Sequence, residues 1–147
     1  MTPSYARSRP TGGCYMSEPT DPLAWVDRAE EDWLLARSAF RRKVPLIYGT
    51  TFHAQQCTEK YLKALLLSRR QAFPRTHDLI ALHDLCIRHG LSGPVDQGKL
   101  ERLAAYAVQV RYPREDPIVD EAREALQIAQ EVRRWARAVV LRSPHPP

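Results

Sequence analysis

The chain has 147 residues, 44% hydrophobic and 27% charged, with 12 Pro against 6 Gly. A chain of that length buries roughly 68–70% of its unfolded surface, so one domain sustains a core unaided and a disulfide-stapled extracellular mini-scaffold is excluded. Cys14, Cys57 and Cys86 are an odd set without a CxxC pair, which argues against a disulfide framework or zinc ribbon and for a reducing, cytoplasmic setting, while a net charge of +5 favours anionic partners. Residues 1–20 mix Pro, Gly, Ser and Arg without an apolar h-region and read as a disordered leader rather than a signal peptide. Met16 would serve as a start as well as Met1, which would make residues 1–15 an upstream extension of the reading frame.

Residues 21–142 carry helical periodicity throughout. Asp21 and Pro22 supply a cap and a first-turn proline, and Leu23, Val26, Ala29, Trp33, Ala36 and Phe40 recur at three- and four-residue steps, predicting a first helix over 22–42. Pro45 restarts the chain, and Tyr48, Phe52, Cys57, Tyr61 and Leu65 predict a long second helix from Leu46 to about Ser68. After the connector FPRTHD, a short third helix spans Asp78–His89, with Gly90 placed to end it. A fourth begins between Pro94 and Gly98 and carries Leu100, Leu103, Ala104, Ala107 and Val110 until Pro113 stops it. Asp116-Pro117 repeats the first cap signal, and Ile118, Ala122, Ala125, Ala129, Val132, Ala136 and Val139 form the stripe of a fifth. Residues 143–147 read as a disordered tail. With no period-two segment and no apolar run long enough to span a membrane, the expected fold is all-α, an up-and-down antiparallel bundle of four long helices plus one short helix.

Two polar constellations stand out. On the second helix His53, Gln56, Lys60 and Lys63 follow at steps of three, four and three, and Glu59 can pair with Lys63 one turn on. That row is either a solvated face with one ion pair or a polar groove or dimer surface holding a ligand. The second depends on helix direction. One pole of the bundle would gather Arg69, Arg70, Arg75, Thr76 and His77 with Arg111, Tyr112 and Arg114, beside the positive N-terminal end of the third helix. This is either an anion site, with Tyr112 free to stack on a base, or a set of arginines that merely complement helix C-termini. His53, His77, His83 and His89 lack metal-ligand spacing, so no metal is expected. Cys57 and Cys86 fall in apolar stripes as core thiols, and Trp25, Trp33 and Trp135 read as core or dimer-interface anchors. There is no nucleophile elbow and no glycine-rich phosphate loop.

The stretch FHAQQCTEKYLKALL (Phe52 to Leu66), then PRTHDL (Pro74 to Leu79) and RYP (Arg111 to Pro113) before an Ala-rich helix, resembles the HEPN domain over about Leu23 to Leu141. The resemblance implies an antiparallel helical bundle, often a homodimer, related to nucleotide binding and in many bacteria paired with a minimal nucleotidyltransferase in toxin–antitoxin style. It implies a nucleotide- or RNA-associated domain without a cofactor, and on that reading the clustering of the residues assigns Arg75 and Arg111 to phosphate, His77 and Tyr112 to base or sugar, and Lys60 and Lys63 to the approach near His53 and Gln56. Other family members are metal-independent ribonucleases with an Arg-x(4–6)-His motif. Here Arg111 is followed by YPREDPIVDE with no His at those offsets, and the literal match from Arg70 to His77 lies in the connector. The alternatives are therefore a ribonuclease toxin with a displaced Arg/His site and a purely structural dimerisation module.

Overall fold

A computed structural model of the chain describes residues 20–108 and 118–142. Five helices, α1 (Pro22–Arg41), α2 (Ile47–Ser68), α3 (Leu79–Arg88), α4 (Gln97–Tyr106) and α5 (Val119–Val140), account for the described secondary structure, with no strand among the described residues. The all-helical expectation holds, and the first three helices fall within a residue of their predicted bounds. α4 ends at Tyr106, before the Val110 and Pro113 expected to close it, which lie outside the described residues. So do Asp116 and Pro117. Ile118 occupies the N-cap position of α5, and the Glu121 side chain accepts from the Ile118 N–H at 3.2 Å. Cys14, the residue-1–19 part of the leader and the tail from 143 also lie outside. Among the described residues, no helix is long and apolar enough to cross a membrane.

The caps are set by short acidic side chains. Asp21 accepts from the Leu23 N–H at 2.9 Å, Asp78 from Ile80 and Ala81, and Asp96 from Lys99 at 2.8 Å, each satisfying donors a helix start would leave orphaned. Two helix ends use the same left-handed turn with different residues. After α3, Gly90 sits at φ 80° while the Leu91 N–H reaches back to the Cys86 carbonyl. After α2, Arg70 takes φ 57° while the Gln71 N–H reaches the Leu66 carbonyl. Glycine adopts that conformation without penalty, and arginine does not.

α2 is the central helix. From Ala54 to Leu66 most of its residues are buried, and Tyr61, Leu62, Leu65 and Leu66 meet Trp25, Val26 and Trp33 of α1, Leu79 and Leu82 of α3, Leu100 and Leu103 of α4, and Ile128 and Val132 of α5 in one core. α1 and α2 run antiparallel. The Leu46 N–H donates to the Ala39 carbonyl at 2.9 Å, while Tyr61 meets Glu30 and Lys63 lies over Trp25, so numbers rise on one helix as they fall on the other. α4 and α5 pair the same way, through Lys99 with Glu131 and Arg102 with Glu124. Trp25 and Trp33 are core residues. Trp135 is half-buried beneath the turn at Gly93, where an added Cβ would stand 2.3 Å from its ring, so that approach requires glycine. Cys57 and Cys86 are buried and unpaired.

Candidate functional site

The row on α2 is drawn toward the protein and only partly open to water. His53 and Lys60 converge on Asp32 of α1, which is 6% exposed. The imidazole Nδ1 lies 2.8 Å from one carboxylate oxygen, and the Lys60 ammonium bonds the other. Gln56 donates to Gln55 at 2.8 Å. Glu59 and Lys63 make the expected ion pair at 3.1 Å, but both are buried, at 2% and 5% exposure. The Lys63 ammonium lies 5.1 Å from the Trp25 ring and 5.6 Å from that of Phe73, so it is sealed by aromatic faces instead of lining an approach. The solvated-face reading therefore fails at Glu59 and Lys63. An ammonium this deep survives because a carboxylate and two ring quadrupoles replace its water.

The connector after α2 folds back along that helix. Gln55 donates to the His77 carbonyl at 3.4 Å, and the His77 Nδ1 lies 3.1 Å from both oxygens of Glu59. Glu59 stands nine residues before Ser68, so at 1.5 Å per residue His77 sits about 13 Å short of the end of α2. This corrects the expected pole. Arg69 and Arg70 stay at the helix end, while Arg75, Thr76 and His77 lie beside its middle. The N-terminal N–H groups of α3 expected to face an anion are in part taken, because Asp78 accepts from Ile80 and Ala81. Thr76 accepts from the Asp78 N–H at 3.0 Å and Arg75 is exposed. Arg111, Tyr112 and Arg114 lie outside the described residues. Thus His53 and Lys60 come together on Asp32, Gln56 bonds Gln55, His77 joins Glu59 and Lys63, and the arginines divide.

The chemistry at His77 is well defined. Its side chain is 84% exposed, yet Nδ1 is held by a carboxylate that is itself buried. An ionised carboxylate only accepts, so it fixes the proton on Nδ1 and leaves Nε2 of an exposed ring to accept a hydrogen bond or carry a proton.

A third carboxylate shows the opposite arrangement. Glu30 of α1 receives the Arg133 fork at 2.7 and 2.9 Å, with the Tyr61 hydroxyl on the same group and Arg137 at 3.7 Å, tying α1, α2 and α5 together. Burial raises the Glu30 carboxyl, but the hydrogen bonds from Arg133 and Tyr61 and the two guanidinium charges outweigh it and hold the group below its ordinary range. Burial and the Glu30 contact push the Tyr61 phenol up. Sequence reasoning passed over both α1 acids. Asp32 was visible in principle, three residues after Ala29 and four before Ala36, as an acid within an apolar stripe. Among the described residues no three His, Cys, Asp or Glu side chains converge as metal ligands.

A family model described as HEPN domain matches residues 23–139 of the chain. Comparison with curated proteins and with solved structures returned no match.

Proposed function

We propose, because this chain belongs to the HEPN domain family, that it is a nucleotide-binding partner of a minimal nucleotidyltransferase, acting as a cytoplasmic homodimer in a toxin–antitoxin-like pair. The family makes it a nucleotide- or RNA-related helical domain. The observation that carries the binding site is the exposed His77 ring, oriented by buried Glu59 beside exposed Arg75. In this reading Arg75 and Arg111 hold phosphate, His77 and Tyr112 contact base or sugar, and Lys60, His53 and Gln56 edge the site from α2. Lys63 acts through Glu59, as a positioning residue. The antiparallel pairings of α1 with α2 and of α4 with α5 support an up-and-down bundle. Leu34 and Leu35 on α1, with Val44 and Leu46 after it, are exposed and support burial against a second copy. Calorimetric titration with ATP, GTP and a short RNA tests the reading. One of them binds, and Arg75→Ala and Arg111→Ala each weaken it about tenfold or more, the scale of a lost charge-assisted contact. Silence toward all three overturns it.

The carboxylate-held imidazole also favours a second reading, a ribonuclease with His77 as general base and an arginine steadying the phosphate. Incubation with transfer RNA separates the two. Cleavage that disappears in His77→Ala supports the second reading, and cleavage that survives the substitution contradicts this assignment.

A further inference from the structure

Between α3 and the start of α4 lies a cavity of about 270 Å3, distinct from the face of α2 that holds His77 and lined in part by Ile80, His83, Asp84, Ile87, Val95 and Asp96. The local sequence builds it. Ile80, His83, Asp84 and Ile87 follow at three- and four-residue steps on one side of α3, and the turn at Gly93, packed against Trp135, brings Val95 and Asp96 opposite.

His83 is the informative member. It is 6% exposed and lines the cavity, yet among the described residues it has no hydrogen-bond or ion-pair partner. Buried imidazoles are ordinarily partnered, because leaving the ring nitrogens without a hydrogen bond is unfavourable. Burial holds the ring below its ordinary value against the upward pull of Asp84 and Asp96, so near neutral pH it offers one acceptor and one donor nitrogen. The two acids are only half engaged. Asp84 meets Arg88 through one oxygen at 2.8 Å, and Asp96 caps α4 through one oxygen on the Lys99 N–H, which leaves each a second oxygen without a partner among the described residues. Ile80, Ile87 and Val95 add branched apolar surface, and Ser92, Gly93 and Gln97 complete the rim.

This set of groups selects its ligand by charge and size. Two carboxylates repel an anion. A neutral imidazole and carboxylate oxygens both accept from N–H groups, and acceptance by a carboxylate from a cation is the stronger kind of hydrogen bond. The volume falls just below the range of about 300–1,000 Å3 typical of drug-sized sites, so the occupant is small. We propose that this cavity binds a small organic cation, a primary ammonium on a short branched apolar body. The ammonium lies between Asp84 and Asp96 and donates to His83, and the body packs on Ile80, Ile87 and Val95.

Imidazole NMR of the full chain tests this with three isosteric probes, 3-methylbutylammonium, 3-methylbutanol and 3-methylbutanoate, read at the His83 ring. The ammonium shifts the His83 resonance saturably and leaves that of His77 in place. The alcohol binds about tenfold more weakly, and the carboxylate leaves the resonance unmoved. Asp96→Asn weakens the ammonium about tenfold while its amide still caps α4, so the variant folds. Equal binding of alcohol and ammonium, no saturable shift with the ammonium, or an unchanged affinity in Asp96→Asn overturns the proposal.

Discussion

Glu30 and Glu59 are two carboxylates drawn into one helical bundle, and they are put to different uses. The partners of Glu30 all belong to the meeting of α1, α2 and α5, with Arg133 and Arg137 at its partly exposed edge. Tyr61 comes from the core of α2, and Arg133, stacked 5.3 Å from the Trp33 ring, approaches from α5. Glu59 is the more deeply buried of the two, yet one of its partners is a ring open to water. The contrast shows how to separate structure from site when both contain a buried charge. A carboxylate enclosed by groups of its own fold joins helices. A carboxylate that reaches through to an exposed imidazole sets the orientation and tautomer of a group the solvent, and any ligand, can meet.

The largest expected effect follows from removing Glu59. Glu59→Ala leaves the Lys63 ammonium buried without its counter-charge and should lower unfolding free energy by about 3 kcal/mol in urea, while also weakening nucleotide binding because His77 loses its anchor. Glu30→Ala should cost less, about 2 kcal/mol, because Arg133 and Arg137 are partly exposed and can recover water. Nucleotide affinity should be unchanged in that variant. If Glu30→Ala weakened binding as much as Glu59→Ala, the distinction between the two carboxylates would collapse.

Acid sharpens the same comparison. The Glu30 carboxyl is lowered from its ordinary 4.5, so its contribution to stability is complete above that value and is lost as the pH falls through its folded value. His83 is lowered from 6.5, so neutral His83 favours the fold above that pH and stability falls as the pH drops below it. Urea midpoints measured against pH should therefore decline below 6.5 and again below 4.5. Glu30→Gln should shrink the lower step, to which Glu124 held by Tyr106 and Arg102 also contributes, and His83→Gln should remove the upper. The smallest effect belongs to the two left-handed helix ends. Arg70→Gly relieves a strained φ and should raise stability by about 0.5–1 kcal/mol, whereas Gly90→Ala should lower it by about 1 kcal/mol, both read from thermal midpoints.

The helices were legible because their signals are local. Asp21-Pro22 and Gly90 mark boundaries by backbone chemistry alone, and the leucine and alanine stripes at three- and four-residue steps follow from helical pitch. The α2 row was legible as a row, but which way it faced was not. Periodicity places His53, Gln56, Lys60 and Lys63 together without saying that Asp32, some twenty residues away, would turn two of them inward. His77 was singled out as a residue and set at the wrong level. A connector with no period of its own can run on past a helix or fold back along it, and only the contacts with Gln55 and Glu59 decide between them. The cavity at His83 depends on the α3–α4 turn and on Trp135, a long-range contact that no local pattern announces.

The imidazole spectrum of the intact protein during titration with ATP, GTP and short RNA tests the central claim most directly. The resonance of His77 should move and saturate with the ligand that binds, His53 should follow with a smaller shift, and His83 should stay in place. Saturable binding that leaves the His77 resonance unmoved would contradict the assignment of the ligand to the exposed ring above Glu59.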